Sequence, residues 1–168
     1  KYSWIADGGE VRYMEYPVLS GMFQYVTAQA AQALHEIFPG GPLEVVVYFA
    51  LGCVLMAFMW MVAVWATYRS AGRRPWDTLL MAASPLIVFQ AFTNYDLMAV
   101  ALACVGLLLW ARSRPVWAGV VLGLGVAAKL YPLFLFGALL VVAIRRRRFR
   151  DLAMSAGAAS ATWLIVNL

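Results

Sequence analysis

The chain has 168 residues, of which 64% are hydrophobic and only 12% are charged, and its mean hydropathy is +0.79. These values exclude an ordinary soluble domain and are typical of an integral membrane protein. The net charge of +5 does not indicate nucleic-acid binding, because the basic residues form short clusters beside apolar segments, as topology signals do. Cys53 and Cys104 lie within apolar runs, and we interpret them as reduced core residues. No motif commits the chain to a metal or another cofactor.

Residues 1–16 combine mixed charges with a glycine pair and are predicted to form an extracytoplasmic loop. Residues 17–38 place apolar and polar side chains on opposite faces at a helical period. A polar face of this width is unfavourable in hydrocarbon. We therefore predict an amphipathic helix that lies in the membrane interface or packs against other helices.

Residues 45–67 contain no charged residue and are long enough to form a complete transmembrane helix. Arginines follow directly, which indicates a cytoplasmic end. Two shorter apolar runs come next, 78–92 and 97–111. Each would form about 22 Å of helix, less than the roughly 30 Å of a hydrocarbon core.

Arginines cluster after residue 67, after residue 111 and after residue 144. If all three clusters are cytoplasmic, each segment between them crosses the membrane an even number of times. The sequence therefore predicts a hairpin of short helices over 78–111, with Asn94 and Asp96 at its outer turn. A further crossing, 152–168, would begin after the third cluster.

Lys129 is the only charged residue between 116 and 144. Because Pro132 disfavours a continuous helix there, we predict a second hairpin with arms 116–128 and 130–144. The alternative is one long, proline-kinked helix, which would leave one arginine cluster outside. The predicted fold class is thus an all-α, polytopic transmembrane bundle over 45–168, with short or broken helices.

A charged side chain at membrane depth costs about 2.5–3.5 kcal/mol on insertion scales. Lys129 could reduce this cost by snorkelling to the interface, or it could bind a phosphate, with the Tyr131 hydroxyl as a second donor. Asp96 could cap the helix that follows it or take part in the site, and Asn94 is a common turn residue. Glu15 could stabilise a helix N-terminus or orient and deprotonate an acceptor hydroxyl.

Three stretches, Met14–Gly21, Asn94–Asp96 and Ala127–Pro132, resemble glycosyltransferase family 87, a family of polytopic, largely actinobacterial enzymes with the GT-C architecture. The resemblance covers roughly residues 10–150. It implies transfer of a sugar, typically mannose, from a polyprenyl-phosphate donor to a lipid-linked or cell-wall glycan. The reaction would take place at the outer face of the plasma membrane.

The resemblance also implies an aspartate base in the first outer loop. The family's position for this base falls ahead of residue 1, so the chain alone is expected to be inactive. Within the chain, the catalytic candidates are Glu15, Asp96 and, as a fallback, Asp7. The predicted substrate-binding residues are Lys129, Tyr131, Asn94, Arg12 and Tyr16.

Two other classes of function stay open at this stage. In a transporter or lipid flippase, Lys129 and Asp96 would form a buried translocation pair. In a non-catalytic membrane scaffold, the bundle itself would be the function. The recurring Gly119, Gly123 and Gly125 favour tight helix packing and fit all of these classes.

Overall fold

The computed structural model describes residues 3–5, 11–13, 16–85, 87, 91 and 94–168. The helices within this part of the chain are α1 (Val18–Ile37), α2 (Glu44–Ser70), α3 (Asp77–Ala82), α4 (Asp96–Ala111), α5 (Pro115–Ala128), α6 (Leu135–Arg146) and α7 (Phe149–Asn167). A short 3₁₀ helix, Tyr131–Phe134, lies between α5 and α6. The predicted helical class is therefore confirmed for these residues.

The N-terminal segment differs from the predicted loop. Strands β1 (Ser3–Ile5) and β2 (Val11–Tyr13) pair in antiparallel fashion, with Trp4 opposite Arg12. Both strands are rich in aromatic and β-branched residues, which favour extended structure. The segment predicted as an extracytoplasmic loop therefore contains two short paired strands at these six positions.

α2 is the one helix, among the described residues, that is long and apolar enough to cross a membrane by itself. Its 27 residues extend about 40 Å. α4 and α5 are also apolar but shorter.

α2 and α4 run in the same direction. The hydroxyl groups of Tyr48 and Tyr95 are 2.6 Å apart near the start of both helices. Farther along, the Thr67 hydroxyl lies 3.7 Å from the Cys104 sulfur. The arginines that follow these two helices therefore lie at the same end of the bundle.

α5 returns antiparallel to α4 and ends where Lys129 adopts an extended backbone, with φ −160° and ψ 146°. Leu139 of α6 then shares a buried cluster with Leu122 of α5. In one continuous helix these two leucines would be about 25 Å apart, so the chain reverses between them. The predicted break near Lys129 and Pro132 is confirmed, and the single long helix is excluded.

Arg148 shows where α6 ends. Its guanidinium lies 5.4 Å from the centroid of the Trp110 ring, and it donates a 3.3 Å hydrogen bond to the Ser113 hydroxyl in the α4–α5 loop. The third arginine cluster therefore joins the other two. We call this side of the bundle the arginine end, and the opposite side, where α4 begins and α5 stops, the Lys129 end.

α5 and α7 pack side by side and run in parallel. A Cβ added at Gly119 would lie 2.2 Å from the Ser155 carbonyl oxygen, and one added at Gly123 would lie 2.6 Å from that of Ala159. Both pairs are four residues apart, as in the small-residue contacts typical of membrane helices. Glycine is required at these positions because the two backbones approach so closely.

The first turns of α1 pack against the Lys129 end. The Ser20 hydroxyl donates a 2.7 Å hydrogen bond to the Ala128 carbonyl, and residues 38–43 lead from the other end of α1 to the start of α2. This linker reaches only about 20 Å, whereas α1 is about 30 Å long. α1 therefore has no room to descend through the bundle and return.

Candidate functional site

The site at the Lys129 end is built around one ion pair. Lys129 Nζ donates a hydrogen bond to Asp96 Oδ1. Lys129 follows the last residue of α5, and Asp96 is the first residue of α4, so the antiparallel packing of these helices brings them together. The two side chains are 44% and 38% exposed, so a ligand can reach the pair from outside the bundle.

The backbone beside Lys129 is held from two directions. The Lys129 N–H donates a 2.9 Å hydrogen bond to the Gly125 carbonyl and so closes the last turn of α5. The carbonyl of Ala128, the residue directly before Lys129, accepts the buried hydrogen bond from Ser20 of α1. The lysine therefore projects from a fixed backbone rather than from a free loop.

Asp96 does not cap its helix. Tyr95 occupies the N-cap position, and its own side chain makes no capping hydrogen bond. The Asp96 N–H instead donates a 3.2 Å hydrogen bond to Asn94 Oδ1. Of the two roles that the sequence left open for Asp96, capping is therefore excluded and a part in the site remains. Its carboxylate lies in the first turn, where the helix dipole favours a negative charge, and accepts from Lys129.

Tyr95 connects the site to α1 and α2, a role that the sequence analysis missed. Its ring meets Tyr16 edge-on at 6.3 Å and Phe23 at 5.7 Å between centroids, and its hydroxyl pairs with that of Tyr48. Burial raises the pKa of Tyr95, and the hydrogen bond to Tyr48 raises it further. Its position between Asn94 and Asp96 is the only sequence signal that could have indicated this role.

A small cavity opens beside this network. Its volume is about 180 Å³, and α2 residues together with Asn94 and Tyr95 line it. The predicted substrate-binding residue Tyr16 is half exposed and contacts the ring of Tyr95, which lines this cavity.

The Tyr131 hydroxyl lies close enough to the Asp96 carboxylate to be affected by its negative charge. Burial raises the pKa of this hydroxyl to about 12, and the negative charge of Asp96 adds to this shift. The hydroxyl therefore stays protonated at neutral pH and can donate a hydrogen bond to an anion. The side chain remains partly exposed, as a ligand-binding group must.

The remaining predicted site residues are not placed. Asp7 and Glu15 lie outside the described residues, and Arg12 is described only through the backbone of β2. In the part of the chain that the structure covers, no group of three or more His, Cys, Asp or Glu side chains could hold a metal ion.

An accessible cation at one end of an apolar helical bundle is typical of a membrane protein that handles a charged ligand. The family comparison identifies which kind. The model of glycosyltransferase family 87 matches residues 32–168, and the chain belongs to this family. The match contains Asn94, Asp96, Lys129 and Tyr131 and begins after Met14–Gly21. No curated protein and no solved structure matches the chain.

Family membership confirms the resemblance and makes this chain a glycosyltransferase, an enzyme class that moves a sugar from a donor to an acceptor. Together with the long apolar helix α2, it indicates a membrane enzyme.

Proposed function

We propose that this protein transfers a sugar, most simply mannose, from a polyprenyl-phosphate donor to a lipid-linked or cell-wall glycan. In this proposal the bundle crosses the plasma membrane several times. The arginine end faces the cytoplasm, because basic residues flank transmembrane helices on that side. The Lys129 end then faces the extracytoplasmic side, where the reaction takes place.

The observation that carries the proposal is the accessible Lys129–Asp96 pair at the end of the bundle opposite the arginines. An ammonium group has three donors, and only one of them is used by Asp96. Within the described residues the other two donors make no hydrogen bond, so we assign them to the phosphate of a lipid donor whose prenyl chain stays in the hydrocarbon. α1 packs against this end and leaves Met22, Val26 and Ile37 exposed, which suits a helix embedded in the interface.

The proposed reaction is an inverting displacement at the anomeric carbon. The acceptor hydroxyl forms the new glycosidic bond, the bond from the sugar to the phosphate oxygen breaks, and polyprenyl phosphate leaves with the bonding electrons. Lys129 stabilises the negative charge that develops on this phosphate, and the Tyr131 hydroxyl donates to it. Asn94 holds the first turn of α4, which carries Asp96.

A carboxylate base takes the proton from the acceptor hydroxyl. Because the Asp96 carboxylate already accepts a hydrogen bond from Lys129, we assign Asp96 to positioning the lysine. The base is then Glu15, Asp7 or another aspartate of the first outer loop, as the family resemblance implies. Arg12 and Tyr16 precede α1 and are proposed to contact the acceptor.

A transporter or flippase is the alternative. Such proteins carry their charged pairs near the middle of the membrane, enclosed by the bundle. Here the pair lies where one helix begins and another has just ended, and both side chains are more than one-third exposed. This placement favours a site that receives a ligand from one side only.

The test is sugar transfer from radiolabelled polyprenyl-phosphate mannose in membranes that express the full-length protein. Lys129→Ala is expected to lower the transfer rate about 100-fold or more, the scale observed when a preorganised charge-stabilising group is lost. Lys129→Arg should retain part of the activity, because it keeps the positive charge.

Arg146→Ala is the matched control, since it removes an exposed cation at the opposite end. It should leave the rate unchanged. Equal rates for the wild type and Lys129→Ala would contradict the role of Lys129. Transfer that is absent from the wild type with this donor, but present with another lipid-linked sugar, would correct the donor.

A further inference from the structure

A second cavity lies at the arginine end, between α2 and α3. Its volume is about 530 Å³, within the range typical of ligand sites. The lining residues are Val64, Trp65, Tyr68, Pro75, Trp76, Thr78, Leu79 and Ala82. Three of these residues are tryptophan or tyrosine, the side chains enriched where a membrane meets water.

One lining residue of this cavity has a buried polar group. Thr78 is only 6% exposed, and its Oγ1 makes no hydrogen bond to any residue that the structure describes. A buried hydroxyl without a partner costs free energy, so an occupant that offers an acceptor would be favoured over one that offers only hydrocarbon.

Three arginines adjoin the lining residues of this cavity along the chain. The Arg69 guanidinium lies 5.8 Å from the centroid of the Trp65 ring, and Arg73 and Arg74 directly precede Pro75. None of these three arginines forms an ion pair in the described part of the chain; Asp77, on the same segment, has no cation within salt-bridge distance there. Their charge is therefore available to an anionic ligand.

We propose that this cavity binds one anionic phospholipid from the leaflet at the arginine end. The aromatic walls hold an acyl chain, an ester carbonyl accepts from Thr78 Oγ1, and the phosphate lies against Arg69, Arg73 and Arg74. This assignment fits all three features of the cavity. It rests on the proposed membrane placement of the arginine end and not on sugar transfer.

Charge and shape together select this occupant. A zwitterionic phospholipid supplies the chain and the carbonyl but cancels its phosphate charge with a cation that the arginines repel. Inorganic phosphate supplies the charge but leaves the aromatic walls and Thr78 without a partner. An anionic phospholipid meets the arginines at the surface, where each basic residue adds to lipid affinity.

The experiment measures binding of phosphatidylglycerol, phosphatidylcholine and inorganic phosphate to the delipidated full-length protein in detergent. Native mass spectrometry counts bound lipids, and the shift of the unfolding temperature gives apparent affinities. We expect one tightly bound phosphatidylglycerol and much weaker binding of the other two probes. Equal shifts with phosphatidylcholine, or with phosphate alone, would overturn the proposal.

Two variants locate the lipid. R73Q/R74Q should weaken phosphatidylglycerol binding about 25-fold, or about fivefold for each arginine removed. Thr78→Val keeps the side-chain shape and should weaken binding about threefold. The matched control, R145Q/R146Q, removes the same charge from exposed arginines elsewhere at this end. An equal loss in that control would show that only surface charge matters and would overturn the site.

Filling the cavity gives an independent check. Ala82→Trp places a large side chain where the acyl chain is proposed to lie and should abolish the one tightly bound lipid. Because Thr78→Val changes no volume, it keeps the proposal testable if Ala82→Trp fails to fold. Unchanged lipid binding in both variants would refute the assignment.

Discussion

The two ends of the bundle carry positive charge in different ways. At the Lys129 end, the lysine is paired with Asp96, and Asn94 and Ser20 hold the backbone on either side of the pair. At the arginine end many cations lie together. Within the described residues, only Arg148 among them forms an ion pair, with Asp151.

This difference separates two uses of charge in a membrane protein. Orientation in the bilayer depends on how many basic residues flank a helix and not on their geometry. Binding and transition-state stabilisation require donors that are already in place. The Lys129 end has a donor that is already in place, whereas most of the arginine end has many basic residues without a fixed geometry.

The largest expected effect concerns the α5–α7 contact, which fixes the helix that carries Lys129 to the last helix described. Gly119→Ala should lower the free energy of unfolding by about 3 kcal/mol, because its Cβ would overlap the Ser155 carbonyl. Thermal unfolding in detergent measures this effect.

Gly157→Ala in α7 is the control, since a Cβ there meets nothing within 4 Å. This variant should be neutral or stabilising by up to about 1 kcal/mol, because alanine has the higher helix propensity. Equal effects of the two substitutions would refute the close parallel packing.

A smaller effect is expected at the arginine end. Arg148→Ala removes the cation–π contact with Trp110 and the hydrogen bonds to Ser113 and Asp151. The expected loss of stability is about 1–2 kcal/mol. Arg146→Ala should change stability very little, because that side chain is exposed. Similar losses of stability in Arg148→Ala and Arg146→Ala would contradict a stabilising role for the contacts of Arg148 with Trp110, Ser113 and Asp151.

The smallest expected effect is a change of stability with pH that depends on Tyr131, a neighbour of Lys129 in the sequence region of the site. The pKa of Tyr131 is raised to about 12 from an ordinary 10.0, so between these values the unfolded chain loses this proton first. The folded state is therefore favoured by Tyr131 below pH 10, and this contribution is lost as the pH rises towards 12. Stability should fall over this interval.

Tyr131→Phe should make that decline shallower. The raised pKa of Tyr95 affects both proteins equally, so the difference between the two pH curves isolates Tyr131. Identical curves from pH 9 to pH 12 would contradict a half-buried phenol beside Asp96.

The sequence predicted the break at Lys129 and Pro132 because charge and proline both oppose a continuous apolar helix. The arginine clusters then required Asp96 and Lys129 to lie at one end, although nothing in the sequence showed that they form an ion pair. Residue preference alone left open whether Asp96 caps its helix or takes part in the site. In the folded protein, the Asp96 carboxylate forms an ion pair with Lys129.

The orientation of α1 was beyond sequence reasoning. Ser20, Thr27 and Ala31 are buried against the bundle, whereas Met22 and Val26 on the apolar face are exposed. Lipid and protein interior are both apolar, so an apolar face does not reveal which of them it contacts. The parallel α5–α7 packing was equally hidden, because small residues indicate close contact but not the partner helix.

The most direct test of the account asks whether the two ends lie on opposite sides of the membrane. In a background that replaces Cys53 and Cys104 with serine, Leu130→Cys places a thiol at an exposed position beside Lys129. Phe149→Cys places one at an exposed position of the arginine end. Each variant is treated, in intact cells and after lysis, with a maleimide that does not cross membranes.

We predict that the thiol at position 130 reacts in intact cells, whereas the thiol at position 149 reacts only after lysis. Labelling of position 149 in intact cells, or protection of position 130 until lysis, would contradict an extracytoplasmic site at the Lys129 end.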